Sequence, residues 1–106
     1  MVKGDIVLIP FPFTDLSGSK LRPAVVLMAD KMDVTVCFIT SQIGWQEPTD
    51  VLLVPNPTNG LKLASLIRTS KIASLDKRLV KGLLGRLSAQ ELADLNSKLK
   101  ILFQLP

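Results

Sequence analysis

The chain has 106 residues, 47% of them hydrophobic, a formal charge of +4 and a pI of about 9.5. That length makes it a single domain, 1–106, near the lower end of the size at which one core suffices without disulfide or metal staples. It contains no histidine and one cysteine, which excludes imidazole acid–base catalysis, a Ser-His-Asp triad and a His- or Cys-rich zinc site.

In chain order, residues 5–9 read as a short strand closed by Pro10, Phe11 and Pro12, since proline is not tolerated in a central strand. Residues 14–20 read as a loop, because Asp15, Ser17, Gly18 and Ser19 are turn formers. The run RPAVVLM at 22–28 follows, with a strand expected over 24–28 and an arginine and a proline at its mouth. A second run, VTVCFITSQ at 34–42, gives a strand over 34–40 that ends in the hydroxyls of Thr40 and Ser41 and the amide of Gln42. Cys37 lies inside that run between Val36 and Phe38 and reads as a core residue. Residues 41–50 form a surface loop holding Gly44, Trp45 and Pro48. Trp45 either stacks on a nucleic-acid base or is packed beneath that loop.

Further strands are expected over 51–54, 64–68 and 71–75, with the breaker cluster PNPTNG at 55–60 between the first two. The end of the chain is helical. Ser88 with Glu91 three residues later makes a capping box, and Leu87 and Leu92 stand at the positions of a hydrophobic staple. Leu92, Leu95, Leu99 and Leu102 then recur on one helix face that needs a surface to pack on. Short strands at regular spacing followed by a helix give the fold class: mainly β with a C-terminal helix, a small barrel. The apolar runs are far below the ~20 residues of a membrane span, and the first residues carry no secretory signal. A cytoplasmic location is the expectation.

Charge is unevenly spread. Residues 1–53 carry four cations and six anions, residues 54–106 nine and three. The second half is therefore the expected polyanion surface: Arg68, Lys71, Lys77, Arg78, Lys81 and Arg86 have only Asp76 among them. No GxxxxGK[ST] phosphate loop is present, and Asp5, Asp15, Asp30, Asp33, Glu47 and Asp50 show no spacing that marks a two-metal site. Nothing in the sequence requires a metal or cofactor. What remains is phosphate chemistry run by arginine and hydroxyls. Arg22 opens a rigid strand and carries a fork of donors suited to phosphate oxygens. The alternative for Arg22 is a strand-end ion pair with Asp5 or Asp15, and for Thr40 and Ser41 a bond to the local backbone.

These two runs, with GDIVLIPFPFTDLSGSK at 4–20 and LDKRLVKGLLGRLS at 75–88, resemble the MazF/PemK family of toxin endoribonucleases from bacterial type II toxin–antitoxin pairs, and the resemblance spans nearly the whole chain. It implies an SH3-like barrel of the MazF/PemK/CcdB-like kind, a homodimer, an antitoxin that blocks the RNA groove, and metal-independent, sequence-selective cleavage of single-stranded messenger RNA. On that resemblance Arg22 matches the catalytic RP arginine, Thr40 the hydroxyl at the end of the central strand, and Arg68 a second catalytic arginine of some PemK-type toxins. Lys20, Ser41, Gln42 and Ser70 fall where RNA contacts are expected. Ser70 departs from the family pattern, which has an acidic residue two positions after that arginine; a hydroxyl does not replace a carboxylate as a base near neutrality. Sequence choice is assigned to the loops at 11–20 and 42–50. Two rivals are carried along: a gyrase-binding toxin on the same barrel with no nuclease site, and a non-catalytic RNA-binding barrel.

Overall fold

In the computed structural model, residues 1–11 and 20–106 are described. The expected loop over 14–20 lies almost wholly outside them, as does Asp15. Six strands are seen among the described residues: β1 (Asp5–Phe11), β2 (Lys20–Ala29), β3 (Asp33–Thr40), β4 (Val51–Leu53), β5 (Ser65–Asp76) and β6 (Gly82–Arg86). A 3-10 turn (Lys77–Leu79) precedes β6, and the helix α1 (Ala89–Leu102) ends the chain. The strands form one antiparallel sheet in the order β4-β5-β3-β2-β1-β6.

The sheet curls until its two edges meet through the turn that follows β4. The Arg86 N–H donates to the Thr58 carbonyl at 2.9 Å, tying β6 to that turn. A Cβ at Gly85 would stand 2.5 Å from the carbonyl oxygens of Thr58 and Asn59, so the approach requires glycine there.

Alternation along the strands sorts the core into two layers. Ile6, Val25, Cys37, Ile39, Val51, Leu53 and Ile67 point to the face covered by α1, where they meet Leu87 and Leu95. Val7, Ile9, Ala24, Val26, Val34 and Val36 point to the opposite face, roofed at one end by Leu79 and Val80. Fully burying a side chain of this size contributes about 1.5–3 kcal/mol. The helix starts as its sequence dictates: Ser88 Oγ accepts the Glu91 N–H at 3.1 Å and Glu91 Oε1 accepts the Ser88 N–H at 2.8 Å. The side chain of Leu95 is fully buried and those of Leu92, Leu99 and Leu102 partly so, which seats the leucine stripe on the sheet. Burial also holds the Cys37 thiol in its neutral form, with its pKa pushed up to about 12.

Four expectations change. β1 continues through Pro10 to Phe11, because β6 pairs only as far as Leu8 and the proline then needs no partner on that flank. The runs at 64–68 and 71–75 are one strand, β5, whose register against β3 jumps from Arg68 to Ile72. The intervening residues form a bulge, and Thr69 is buried there with its hydroxyl donating to the Thr49 carbonyl at 2.6 Å. β6 was not expected at all: GLLGR has two glycines and no β-branched residue, so only its pairing with β1 makes it a strand. The basic cluster is also less uniform than its sequence implies. Arg68 pairs with Asp50, Arg78 with Asp76 and Arg86 with Asp5, at 3.3, 2.9 and 3.8 Å.

Candidate active site

β1, β2, β3 and β5 run side by side, and the alternation that buries Val7, Ile9, Ala24, Val26, Val34 and Val36 continues past the core toward one end of the sheet. The next residues on that face are Phe11 on β1, Arg22 on β2, and Phe38 and Thr40 on β3; Arg68 on β5 stands opposite Phe38. Arg22 is opposite Ile9. Ala24 is opposite Phe38, so continuing that register by two residues sets Arg22 level with Thr40. Together Phe11, Arg22, Phe38, Ile39, Thr40, Arg68 and Lys71 line an open cavity of about 450 Å³. The three residues expected to be catalytic, Arg22, Thr40 and Arg68, are thus brought into one cleft from three adjacent strands.

Arg22 is exposed, with its guanidinium carbon 5.6 Å from the centre of the Phe11 ring. Phe11 in turn meets Phe38 edge to face at 6.3 Å. The aromatic surface orients the cation without neutralising it. The ion pair considered between Arg22 and Asp5 is not present: Asp5 Oδ2 accepts the Val2 N–H at 3.0 Å and Oδ1 faces Arg86.

Thr40 does bond the local backbone, since its Oγ1 accepts the Gln42 N–H at 3.1 Å. That bond uses an oxygen lone pair and fixes the rotamer; it leaves the hydroxyl hydrogen free to donate. The local bond and a phosphate contact are therefore compatible.

Arg68 is held from behind. Its Nε lies 3.3 Å from Asp50 Oδ2, and the Asp50 side chain is fully buried while that of Arg68 is 23% exposed. The contact is close enough for an ion pair but out of line for a hydrogen bond, and Asp50 Oδ1 has no hydrogen-bond partner among the described residues. Asp50 Oδ2 also accepts the Glu47 N–H at 2.8 Å. A carboxylate therefore stands beside Arg68 although Ser70 does not supply one.

Not every expected residue joins the cleft. Ser41 borders a neighbouring cavity on the far side of Thr40. Lys20, Gln42 and Ser70 are exposed and line neither cavity. Ser70 belongs to the β5 bulge, where it loses the register that carries Arg68 into the site. Trp45 is 85% exposed, which removes the reading that packs it beneath its loop. Sequence reasoning missed Phe11, Phe38 and Asp50, and took Lys71 only as part of a basic face. The aromatic pair was visible in principle, since 9, 11 and 36, 38 share a face by alternation. Asp50 carried no local signal. Among the described residues no group of three or more His, Cys, Asp or Glu side chains is placed to hold a metal ion, and no helix is long and apolar enough to cross a membrane.

Comparison with known proteins bears on this geometry. Residues 2–103 match the profile of a family described as PemK-like, MazF-like toxin of type II toxin–antitoxin system. Among solved structures, the chain is similar to Mycobacterium tuberculosis toxin MazF-mt6, with a TM-score of 0.79 and 20% identity over 96% of this chain and 98% of that one. It is also similar to an endoribonuclease in complex with its cognate antitoxin from Mycobacterial species (TM-score 0.75, 19% identity, 100% and 95% covered). A third likeness is to MazE–MazF from Deinococcus radiodurans (TM-score 0.76, 25% identity, 100% and 97% covered). Among curated proteins, none matches the sequence.

Proposed function

The chain belongs to the PemK-like, MazF-like toxin family of type II toxin–antitoxin systems, and from that premise we propose that it is an endoribonuclease toxin cleaving single-stranded RNA at the Arg22–Thr40–Arg68 cleft. The observation that carries the reading is the convergence, on one open cavity, of an exposed arginine with no carboxylate partner among the described residues, a hydroxyl with its hydrogen unspent and a braced second arginine.

RNA supplies its own nucleophile. The ribose 2′-oxygen attacks the adjacent phosphorus and gives up its proton; the bond to the 5′-oxygen breaks, and that oxygen takes up a proton. The products are a 2′,3′-cyclic phosphate and a 5′-hydroxyl. Between them lies a phosphorane whose equatorial oxygens carry extra negative charge. Arg22 donates to those oxygens and stays charged at any relevant pH. One such preorganised contact is worth about 10²–10³ in rate. The Thr40 hydroxyl adds a second donor, and Arg68, fixed by Asp50, adds positive charge on the far side of β3. Proton transfer runs through water or Arg68 rather than Ser70. Phe11 and Phe38 offer rings on which a splayed base can stack.

Two partners belong to this reading, an antitoxin and a second copy of the chain. One of the similar structures is an endoribonuclease in complex with its cognate antitoxin, and a cognate antitoxin is the expected inhibitor here. A homodimer is the other. Phe103 and Leu105 are exposed beside Leu27 and Leu99, apolar surface of the kind that protein partners cover.

Purified protein incubated with a defined RNA in excess EDTA should cut it and leave 5′-hydroxyl ends, read by end mapping. Arg22→Ala should abolish cutting while its Tm stays within a few degrees of the parent, because the side chain is exposed. Strict magnesium dependence would overturn the chemistry. Growth arrest by the Arg22→Ala variant would favour the gyrase-binding alternative, and RNA binding without cutting by the parent the non-catalytic one.

A further inference from the structure

A phosphate seated between Arg22 and Thr40 has a nucleoside on each side, and the aromatic cleft accounts for one of them. Arg22 and Thr40 also line a second cavity of about 250 Å³, whose other walls include Leu61, Leu63, Leu84, Lys62, Ser41 and Ser65. The two cavities share Arg22, Ile39 and Thr40 and differ in their other walls. One is walled by phenylalanines with Arg68 and Lys71, the other by leucines with two hydroxyls and a single lysine.

The wall of the second cavity is held rigidly. Asn59 is fully buried; its Oδ1 accepts the N–H groups of Asn56 and Leu61 at 3.2 and 3.0 Å, and its Nδ2 donates to the Val54 carbonyl and to Glu91 Oε2, both at 3.0 Å. Asn56 Nδ2 reaches the same Glu91 oxygen at 3.2 Å. The helix cap thus doubles as an anchor for the turn. Gly60 follows with φ +70, and a Cβ there would fall 2.2 Å from the Leu84 carbonyl oxygen, so the turn is pressed against β6. Ser65 Oγ donates to the Leu63 carbonyl at 2.9 Å and closes the segment. On this locked frame Leu63 is 64% exposed. Rigid backbone bonding that holds a leucine in solvent beside a cavity is what a preorganised ligand contact requires.

We propose that the second cavity is a nucleotide subsite that reads the base on one side of the cleaved bond. Leu61, Leu63 and Leu84 lie against the face of the base, the exposed Ser41 hydroxyl meets its edge, and Lys62 takes the outer phosphate. At about 250 Å³ the space is below that of a drug-sized pocket and suits one planar base. Sequence choice then resides partly in residues 60–65, outside the loops at 11–20 and 42–50 to which the sequence assigned it. The inference rests on the reading of Arg22 and Thr40 as the holders of the cleaved phosphate.

The test uses exposed positions. Leu63→Gln is mixed with an RNA pool randomised on both sides of the cut, and selectivity is read as the ratio of products within one reaction, so a general loss of rate cancels. The expected result is a shift of about tenfold in preference at one position adjacent to the cut and none at the other, the size of a lost base contact. Lys62→Gln should weaken every sequence alike and reduce the salt slope by about 0.7. Unchanged preference at both flanking positions in Leu63→Gln would overturn the subsite. A 2′-O-methyl dinucleotide, which cannot be cut, is then titrated onto the methyl-labelled parent protein. Shifts at Leu61 and Leu63 in a protein that cleaves no RNA would leave the cavity a nucleotide site but sink the nuclease reading and, with it, a role in choosing the cut. Cleavage without leucine shifts would do the reverse.

Discussion

Arg68→Ala and Asp50→Asn remove opposite ends of one ion pair, and the structure makes their costs unequal. Asp50 is fully buried and its Oδ1 already lacks a hydrogen-bond partner among the described residues, so losing Arg68 leaves a carboxylate held only by the Glu47 N–H. An uncompensated buried charge costs roughly 3–5 kcal/mol. Water reaching the site through the exposed part of Arg68 argues for the lower end, about 3 kcal/mol. At about 4–8 °C per kcal/mol for a domain near this size, the Tm should fall by roughly 12–24 °C. Asp50→Asn keeps the shape and the bond from Glu47, and it leaves a cation that is 23% exposed and can hydrate. About 1 kcal/mol, or roughly 4–8 °C, is expected there. The double variant should be more stable than Arg68→Ala alone, because the orphaned charge is gone. Thermal unfolding followed by circular dichroism reads all three, and cleavage assayed well below the lowest Tm separates lost chemistry from lost fold. Equal costs for the two single variants, or strict additivity in the double, would show that the pair does not hold Arg68 in place.

Burial raises the pKa of Glu91, but hydrogen bonds from the Ser88 backbone, Asn59, the Ser88 side chain and Asn56 outweigh it and hold the carboxyl below its ordinary value. The folded pKa is thus below the unfolded one, so this stabilisation is complete above the unfolded value and is lost as pH falls through the folded one. Urea midpoints from pH 6 down to 3 should fall less steeply for Glu91→Gln than for the parent; identical slopes would refute the linkage. Cys37, with its pKa pushed up to about 12, should not react with a thiol reagent until the protein unfolds. Trp45, 85% exposed, should emit at the wavelength of tryptophan in water and be quenched by an added soluble quencher as freely as the amino acid.

What the chain decides by itself is local. The capping box at Ser88 and Glu91, the leucine stripe of α1 and most of β2 and β3 follow from spacing alone, because their periodicities are one turn or one pleat long. The places of Arg22 and Thr40 at the ends of two apolar runs were legible in the same way, while their meeting in one cleft follows from the β2–β3 register. The tertiary structure decided what depends on register between strands. Asp50 meets Arg68 across a β4–β5 pairing, and β6 exists only because β1 needs a neighbour. The bulge in β5 keeps Arg68 in the cleft and leaves Ser70 out of it. Glu91, visible as a cap, also braces Asn59 from the far side of the fold. A single residue's shift in pairing reverses which side chains share a face, and no local pattern records it.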